Sequence, residues 1–334
     1  MISNDDVYVI AEIGGNHEGN FEKALDLLHQ AADAGAHAIK YQIYTGETLV
    51  NEVQDPARVK HFDRFALKDE QYEKLATECK SRNVDFCASI WSERSIEKFS
   101  HFLPYIKVGS GDLTAYPVLT KLAELNKPII LSTGLSNIEE IKASINHICK
   151  ANSNYKNQNM LSILQCTSMY PIPNEDANLS VITSFKNEFH YPIGYSDHTS
   201  STYAAEIAVA LGASILEVHF TDTKESTSFR DHQVSFNSDD LKKLTKNINV
   251  IKKLLGDGIK RPMKSEIENG HLTSFRRAIY PIRNISKNET VTLNDFIALR
   301  PENGLPATEI NNIIGKKANR DLSELESISI SDFS

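Results

Sequence analysis

Eight short apolar runs alternate with longer amphipathic stretches over about 255 residues, a pattern that restricts the chain to architectures built on a parallel sheet. The runs are Val7 to Ile13, Ala36 to Ile43, Val84 to Ile90, Tyr105 to Val108, Pro128 to Ser132, Ser162 to Cys166, Pro192 to Tyr195 and Ile215 to Phe220. Between them lie helical patterns such as Phe21 to Ala34 and Asp69 to Arg82. Eight strands with eight crossovers match the usual size of a (β/α)8 or TIM barrel; a doubly wound open sheet is the alternative. The pattern ends with a helix over Asp239 to Leu255, which places a catalytic domain at 1–256. A polar, turn-rich stretch over 257–272 reads as a linker. From 273 to 334, short segments such as Arg277 to Arg283 and Thr290 to Leu293 alternate with turns, which predicts a small, mostly β domain whose thin core wants a larger surface to dock on.

The 36 Lys and Arg against 44 Asp and Glu give a net charge of -8, so no diffuse basic face invites nucleic acid or an anionic membrane. Any anionic substrate must be held by local cations. Cys79, Cys87, Cys149 and Cys166 form no CxxC pair, and the polar start Met1 to Asp6 lacks the regions of a signal peptide; both predict a cytoplasmic protein. No apolar stretch approaches the ~20 residues needed to cross a bilayer.

Strand ends at the carboxyl side are where catalytic groups converge in such a barrel. His198 and His219 each close an apolar run, and neutral imidazole is a good ligand for Mn, Fe, Co or Zn. Glu12 closes the first run and is a candidate acid or base, as is Glu217. Lys40 and Gln42 alternate on the second strand and face one side. Lys107 offers a second cation, followed by Gly109-Ser110-Gly111-Asp112, whose amides and hydroxyl suit phosphate or carboxylate. Ser89, Ser132, Thr133, Thr167, Ser168 and Ser196 add hydroxyls at further strand ends. Each has a plainer explanation. A lone His more often bonds a backbone carbonyl, a buried Lys neutralises a carboxylate such as Glu12, and Ser or Thr caps the next helix. Their common position at one rim is what those explanations leave over, and it describes a pocket for a phosphorylated anion beside a divalent metal.

The motifs Ala11-Glu12-Ile13-Gly14, Asn16-His17-Glu18-Gly19, Lys40-x-Gln42, Lys107-x-Gly109-Ser110, Leu131-Ser132-Thr133-Gly134, Gln165-Cys166-Thr167 with Tyr170-Pro171, Tyr195-Ser196-Asp197-His198 and Glu217-x-His219, in this order along the barrel, resemble the N-acetylneuraminate (sialic acid) synthase family. The tail, with Arg276-Arg277-Ala278, Leu299-Arg300-Pro301 and Ile314-Gly315-Lys316, is similar to that family's antifreeze-like SAF domain. The resemblance implies condensation of phosphoenolpyruvate with an N-acyl hexosamine, N-acetylmannosamine first, into a nine-carbon 3-deoxy-2-keto acid and phosphate. It implies a metal on His198 and His219, Mn²⁺ by preference with Mg²⁺ or Co²⁺ as alternatives. It assigns phosphoenolpyruvate to Lys40, Ser89, Lys107, Ser110, Ser132, Ser168 and Ser196, and the sugar to Gln42, Asp112, Tyr170, Asp231 and Arg300. Arg300 would act in a domain-swapped homodimer.

Three departures bear on the acceptor. Ser226 to His232 stands where many members carry a Pro-Gly-Pro-Asp turn, Ser168 where some have Asn, and Asp112 where some have Glu. Legionaminic and pseudaminic acid synthases share the scaffold, so a 2,4-diacetamido-2,4,6-trideoxyhexose is the alternative acceptor. A metal-dependent hydrolase or a carbohydrate-binding module are the remote alternatives.

Overall fold

The structure, a computed structural model, describes residues 7–224 and 229–334. The chain divides into two compact units, Met1–Gly256 and Asp257–Ser334. The first unit runs β1 (Tyr8–Glu12), α1 (Phe21–Asp33), β2 (Ala38–Ile43), α2 (Gly46–Leu49), α3 (Pro56–Phe65), α4 (Asp69–Ser81), β3 (Asp85–Ile90), α5 (Glu93–Phe99), β4 (Ile106–Val108), α6 (Tyr116–Glu124), β5 (Ile129–Ser132), α7 (Ile138–Ala151), β6 (Leu161–Cys166), α8 (Ser180–Glu188), β7 (Ile193–Asp197), α9 (Tyr203–Ala210), β8 (Ile215–His219) and α10 (Ser238–Leu255). This is the expected barrel alternation. The addition is the helix pair α2 and α3 in the β2 to α4 crossover, where the polar composition gave little apolar periodicity to read.

The strands are ordered β3-β2-β1-β8-β7-β6-β5-β4, every pairing parallel. β3 and β4, the two ends of that order, pack against each other without a shared ladder. Strands covered on both faces read as continuous apolar runs, which is why the eight segments stood out in the sequence. Amphipathic helices cover the outside: α1 buries Ala24, Leu27, Leu28 and Ala31, and α7 buries Ile141, Ser144, Ile145 and Ile148 behind a capping box between Asn137 and Glu140.

Inside the barrel the side chains form layers, because every second residue of a strand points inward. The floor consists of Ile10, Ala38, Cys87, Tyr105, Ile130, Leu164 and Ile215, with Gly194 completing it where a Cβ would strike Leu164. Two residues further along each strand the layer turns polar: Glu12, Lys40, Ser89, Lys107, Ser132, Cys166, Ser196 and Glu217, all lining one cavity. Two residues further again stand Gln42, Trp91, Gly109, Ser168, His198 and His219 at its rim. The apolar floor seals the lower end, and the stride of two carries chemistry upward.

The second unit contains α11 (Lys264–Glu268), α12 (His271–Ser274) and the antiparallel pair β9 (Ala278–Pro281) and β10 (Phe296–Leu299). Its own core gathers Ile279, Ile285, Val291, Leu305, Ile313, Ala318, Leu322, Ile328 and Phe333. Arg283, 2.6 Å from both Glu289 and Asp295, and Arg320, 2.8 Å from Asp332, tie its loops together. The 257–272 stretch groups with this unit and holds α11 and the first two residues of α12. No described helix is long and apolar enough to cross a membrane.

Candidate active site

A cavity of about 440 Å³ opens at the carboxyl ends of the strands. At its base two buried lysines meet two buried carboxylates. Lys40 Nζ is 2.7 Å from Glu12 Oε2 and 3.7 Å from Glu217 Oε2, while Lys107 Nζ is 3.6 Å from Glu217 Oε1. Lys107 also donates to Ser132 Oγ at 2.7 Å and to the Val108 carbonyl at 3.0 Å. Ser196 Oγ donates to Glu217 Oε1 at 3.2 Å, and Gln42 Nε2 donates to Glu12 Oε1 at 2.7 Å. Strand register causes this: Lys40, Glu12 and His219 are lateral neighbours across β2, β1 and β8, and Ser196 is the neighbour of Glu217.

The two carboxylates are pushed apart in acidity. Burial raises Glu12 above the usual carboxylate range even against the pull of Lys40, with the charge on Glu217 adding to the rise. Burial pushes Glu217 the same way, but Lys107 and Lys40 together overcome it and hold Glu217 below that range. Such a split suits one group to proton exchange and the other to standing as an anion. Lys40, disfavoured by burial, is held charged by both carboxylates.

His198 and His219 face each other with ring centroids 5.2 Å apart. His198 Nδ1 lies 2.9 Å from the Thr167 carbonyl, which fixes the ring and leaves Nε2 for a ligand. His219 Nδ1 is buried without a hydrogen-bond partner and stands 3.7 Å from Asp231 Oδ2. Burial lowers the pKa of both rings, keeping them neutral and fit to bind a cation. Among the described residues no three His, Cys, Asp or Glu side chains converge on one metal-sized point. The donor set is therefore two imidazoles, and it fits a metal whose remaining positions are filled by water and substrate. Tyr170 packs on both rings, at 4.0 and 5.7 Å, and the Arg230 guanidinium lies over the Tyr170 ring at 4.5 Å.

The hydroxyl rim is tight. Gly134 N–H donates to Ser110 Oγ at 3.0 Å, and a Cβ on Gly134 would meet that oxygen at 2.8 Å and press on Ser168 Oγ as well. Gly134→Ala is expected to displace both hydroxyls and raise the KM for the anionic substrate roughly ten- to a hundred-fold. Steady-state kinetics with the anion varied, together with a melting curve, checks it.

The cavity brings together Glu12, Lys40, Gln42, Ser89, Lys107, Ser110, Asp112, Ser132, Ser168, Tyr170, Ser196, His198, Glu217 and His219. Asp231 is not on its lining but approaches through His219. Arg300 belongs to the second unit, where its guanidinium lies 5.3 Å from the Phe275 ring centroid. Thr133 and Thr167 bond the Leu164 and Asp176 carbonyls, the plainer role open to a strand-end hydroxyl. The departure at Ser226 to Ser228 lies outside the described residues. Sequence reasoning missed Leu49, Arg58, Phe62, Trp91 and Cys166 on the lining. A larger cavity of about 830 Å³ next to it, between α7 and α8, shares Cys166 and Ser168 but is lined by no Lys, Arg or His, whereas the smaller one holds Lys40, Lys107, Arg58, His198 and His219.

A sequence model of the NeuB family matches residues 27–260, and one of the SAF domain matches 276–334. The chain belongs to the NeuB family. This NeuB protein is 34% identical to the N,N'-diacetyllegionaminic acid synthase of Campylobacter jejuni, over 96% of its own length and 98% of that protein. It is 32% identical to the N-acetylneuraminate-9-phosphate synthase of Drosophila melanogaster, over 97% and 95%. The solved N-acetylneuraminic acid synthetase of Leptospira borgpetersenii, a complex with citrate, superposes with a TM-score of 0.74 at 30% identity, covering 80% of this chain and 92% of that one. The NeuB protein is accordingly an enzyme of the sialic, legionaminic and pseudaminic acid synthase group, a β/α barrel followed by a SAF domain.

Proposed function

We propose that this synthase condenses phosphoenolpyruvate with an N-acyl hexosamine and water, giving a 3-deoxy-2-keto nine-carbon acid and phosphate with cleavage of the C–O bond, and that N-acetylmannosamine is its acceptor. The observation that carries this is the joint presence, in one cavity, of two buried lysines, a ring of hydroxyls and two facing imidazoles. The lysines and hydroxyls Ser89, Ser110, Ser132, Ser168 and Ser196 hold the phosphate and carboxylate of the enol phosphate.

Charge balance supports a divalent cation. Lys40 and Lys107 are already matched by Glu12 and Glu217, so the base of the cavity has no net positive charge to offer a multiply charged anion. A divalent metal, Mn²⁺ by preference, held by His198 and His219 would supply that charge and polarise the acceptor's carbonyl oxygen. C3 of the enol phosphate then attacks the carbonyl carbon, and positive character develops at C2. Glu217, permanently ionised between two lysines, offsets it. Glu12, whose carboxyl burial raises above the usual carboxylate range, takes the proton from the water that adds at C2, and phosphate departs from the resulting tetrahedral carbon. Tyr170, Gln42, Asp112 and Asp231 orient the acceptor. Arg300 and a homodimer belong to the same reading through the family resemblance, and sedimentation tests the dimer.

A diacetamido trideoxyhexose is the second reading. Leu49, Phe62 and Trp91 give the cavity mouth apolar surface suited to a methyl group and a second acetamido, and the Campylobacter relative is named for such a product. Phosphate release with Mn²⁺, with and without EDTA, across both acceptor types, with product masses, tests the condensation and chooses between them. Acceptor-dependent, chelator-sensitive release supports it; release without an acceptor, or none, overturns it.

Asp231 gives a further expectation. Burial raises its pKa from 3.8 to about 6, against the pull of Arg230. A carboxylate whose folded pKa is raised destabilises the fold above its unfolded pKa, fully so once pH exceeds the folded value. Asp231→Asn is therefore expected to stabilise metal-free protein by roughly 2–3 kcal/mol at pH 8, to have no such effect below about pH 4, and to lower turnover. Urea unfolding at the two pH values measures it.

A further inference from the structure

Trp91 is the single tryptophan of the chain and stands directly after β3, while Asp112 closes the turn after β4. These are the two strands that meet without a shared ladder, so no main-chain hydrogen bonding of that kind ties their ends together. A side-chain bond does. Trp91 Nε1–H donates to Asp112 Oδ2 at 2.5 Å, and both residues line the mouth of the cavity. The other carboxylate oxygen of Asp112 has no hydrogen-bond partner among the described residues. The indole cannot swing freely, because Tyr44 meets it edge-on at 5.7 Å and is itself buried and braced by Phe62 at 5.3 Å.

We propose that Trp91 is a positioning residue for the acceptor: its N–H holds one oxygen of Asp112 across the β3–β4 seam, so that the other is presented to a hydroxyl or amide N–H of the sugar. The assignment rests on the condensation reading, since it takes the acceptor to enter at this mouth. An indole N–H is a donor only and has one hydrogen, so it cannot serve the acceptor and Asp112 together. Spent on Asp112, it does two things. It fixes the carboxylate's rotation, and it stabilises the ionised form that partial burial disfavours, with Lys107 adding a smaller contribution. A phenyl ring at position 91 would retain the contact with Tyr44 and lose both effects.

Two measurements on the full-length enzyme test this, the first with Mn²⁺ bound and the second without metal. In the first, Trp91→Phe is expected to raise the acceptor KM roughly ten- to a hundred-fold, the cost of losing a hydrogen bond to a charged group, while the KM for phosphoenolpyruvate stays within about two-fold. Asp112→Asn is expected to raise the acceptor KM similarly, and Trp91→Phe in that background to add almost nothing, because the two act as one unit. An unchanged acceptor KM, an equal rise in both KM values, or effects that multiply in the double variant would each overturn the proposal. In the second, fluorescence excited at the red edge of the protein band, where tyrosine does not absorb and Trp91 alone responds, is followed as acceptor is added to enzyme holding phosphoenolpyruvate after chelation with EDTA. A saturable change in wild type that weakens at least ten-fold in apparent affinity in Asp112→Asn is expected, and this arm stands even where Trp91→Phe fails to fold. No fluorescence change at saturating acceptor overturns the proposal. Failure of wild type to release phosphate with any acceptor sinks the condensation reading; turnover in wild type with Trp91→Phe indistinguishable from it sinks the Trp91 assignment alone.

Discussion

Lys40→Met is expected to cost the barrel unit about 3–5 kcal/mol of folding stability and to abolish turnover. Lys40 is 4% exposed, and the carboxylates it serves, Glu12 and Glu217, are 1% and 5% exposed. Methionine fills much the same volume, so packing is not what is lost. Two carboxylates remain at the base of the cavity with only Lys107, which faces Glu217, to answer them. Glu12 then has no cation within reach and its pKa rises further. The sign of the pH dependence follows. A carboxyl group with a raised folded pKa destabilises the fold above its unfolded pKa, so the loss is larger at pH 8 than at pH 5 and shrinks as pH falls and Glu12 becomes protonated in both states. Adding Glu12→Gln to the same chain is expected to recover most of the stability and none of the activity, which separates the structural use of Lys40 from its use in holding the substrate. Urea titrations of the three proteins at pH 5 and pH 8 measure this. A Lys40→Met protein as stable as wild type at pH 8 would show that the pair is not the buried contact described above.

His198→Ala is expected to lower chelator-sensitive phosphate release by about a thousand-fold or more, the several kcal/mol that a Lewis acid contributes at a developing negative charge. Folding stability should fall by about 1–3 kcal/mol, since the buried ring leaves a void beside Tyr170 and His219 and unpairs the Thr167 carbonyl. Mn²⁺ titration followed by electron paramagnetic resonance gives a readout independent of turnover: binding weakened by two orders of magnitude is expected, and binding at wild-type affinity would remove His198 from the metal site. Thr167 enters only through its backbone carbonyl, so Thr167→Val should leave Mn²⁺ affinity nearly unchanged.

The barrel was legible because its signal is repeated: eight buried parallel strands write eight apolar runs, and helix periodicity separates them. Much of the site was legible for the same reason. Once β2 is known to point Ala38 into the floor, Lys40 and Gln42 must follow it upward, and the same stride leads from Tyr105 to Lys107 and from Ile215 through Glu217 to His219. Applied to β3 and β6, that stride would have named two residues that were overlooked. It runs Cys87, Ser89, Trp91 and Leu164, Cys166, Ser168. Trp91 and Cys166 went unseen because attention fell on ionisable and hydroxyl side chains, whereas indole and thiol read as core. Arg58 and Phe62 could not be reached this way. They come from α3, an inserted helix whose position no strand register dictates. The pairing of Lys40 with Glu12 shows the limit from the other side: the plain reading of a buried lysine is correct as to contact, and it coexists with a place in the substrate cavity.

The missing ladder between β3 and β4 makes that junction the part of the wall that can change most cheaply. Elsewhere around the ring, moving one strand end relative to its neighbour strains or breaks main-chain hydrogen bonds; between these two only side-chain contacts must yield. The junction lies beside Trp91 and Asp112, at the mouth, while Glu12, Glu217 and His219 stand further round the ring on β1 and β8. A lineage can therefore drift in what it admits at this side while Glu12, Glu217 and His219 stay still, and a laboratory library confined to positions 91 and 112 should explore new acceptors without first having to repair the fold.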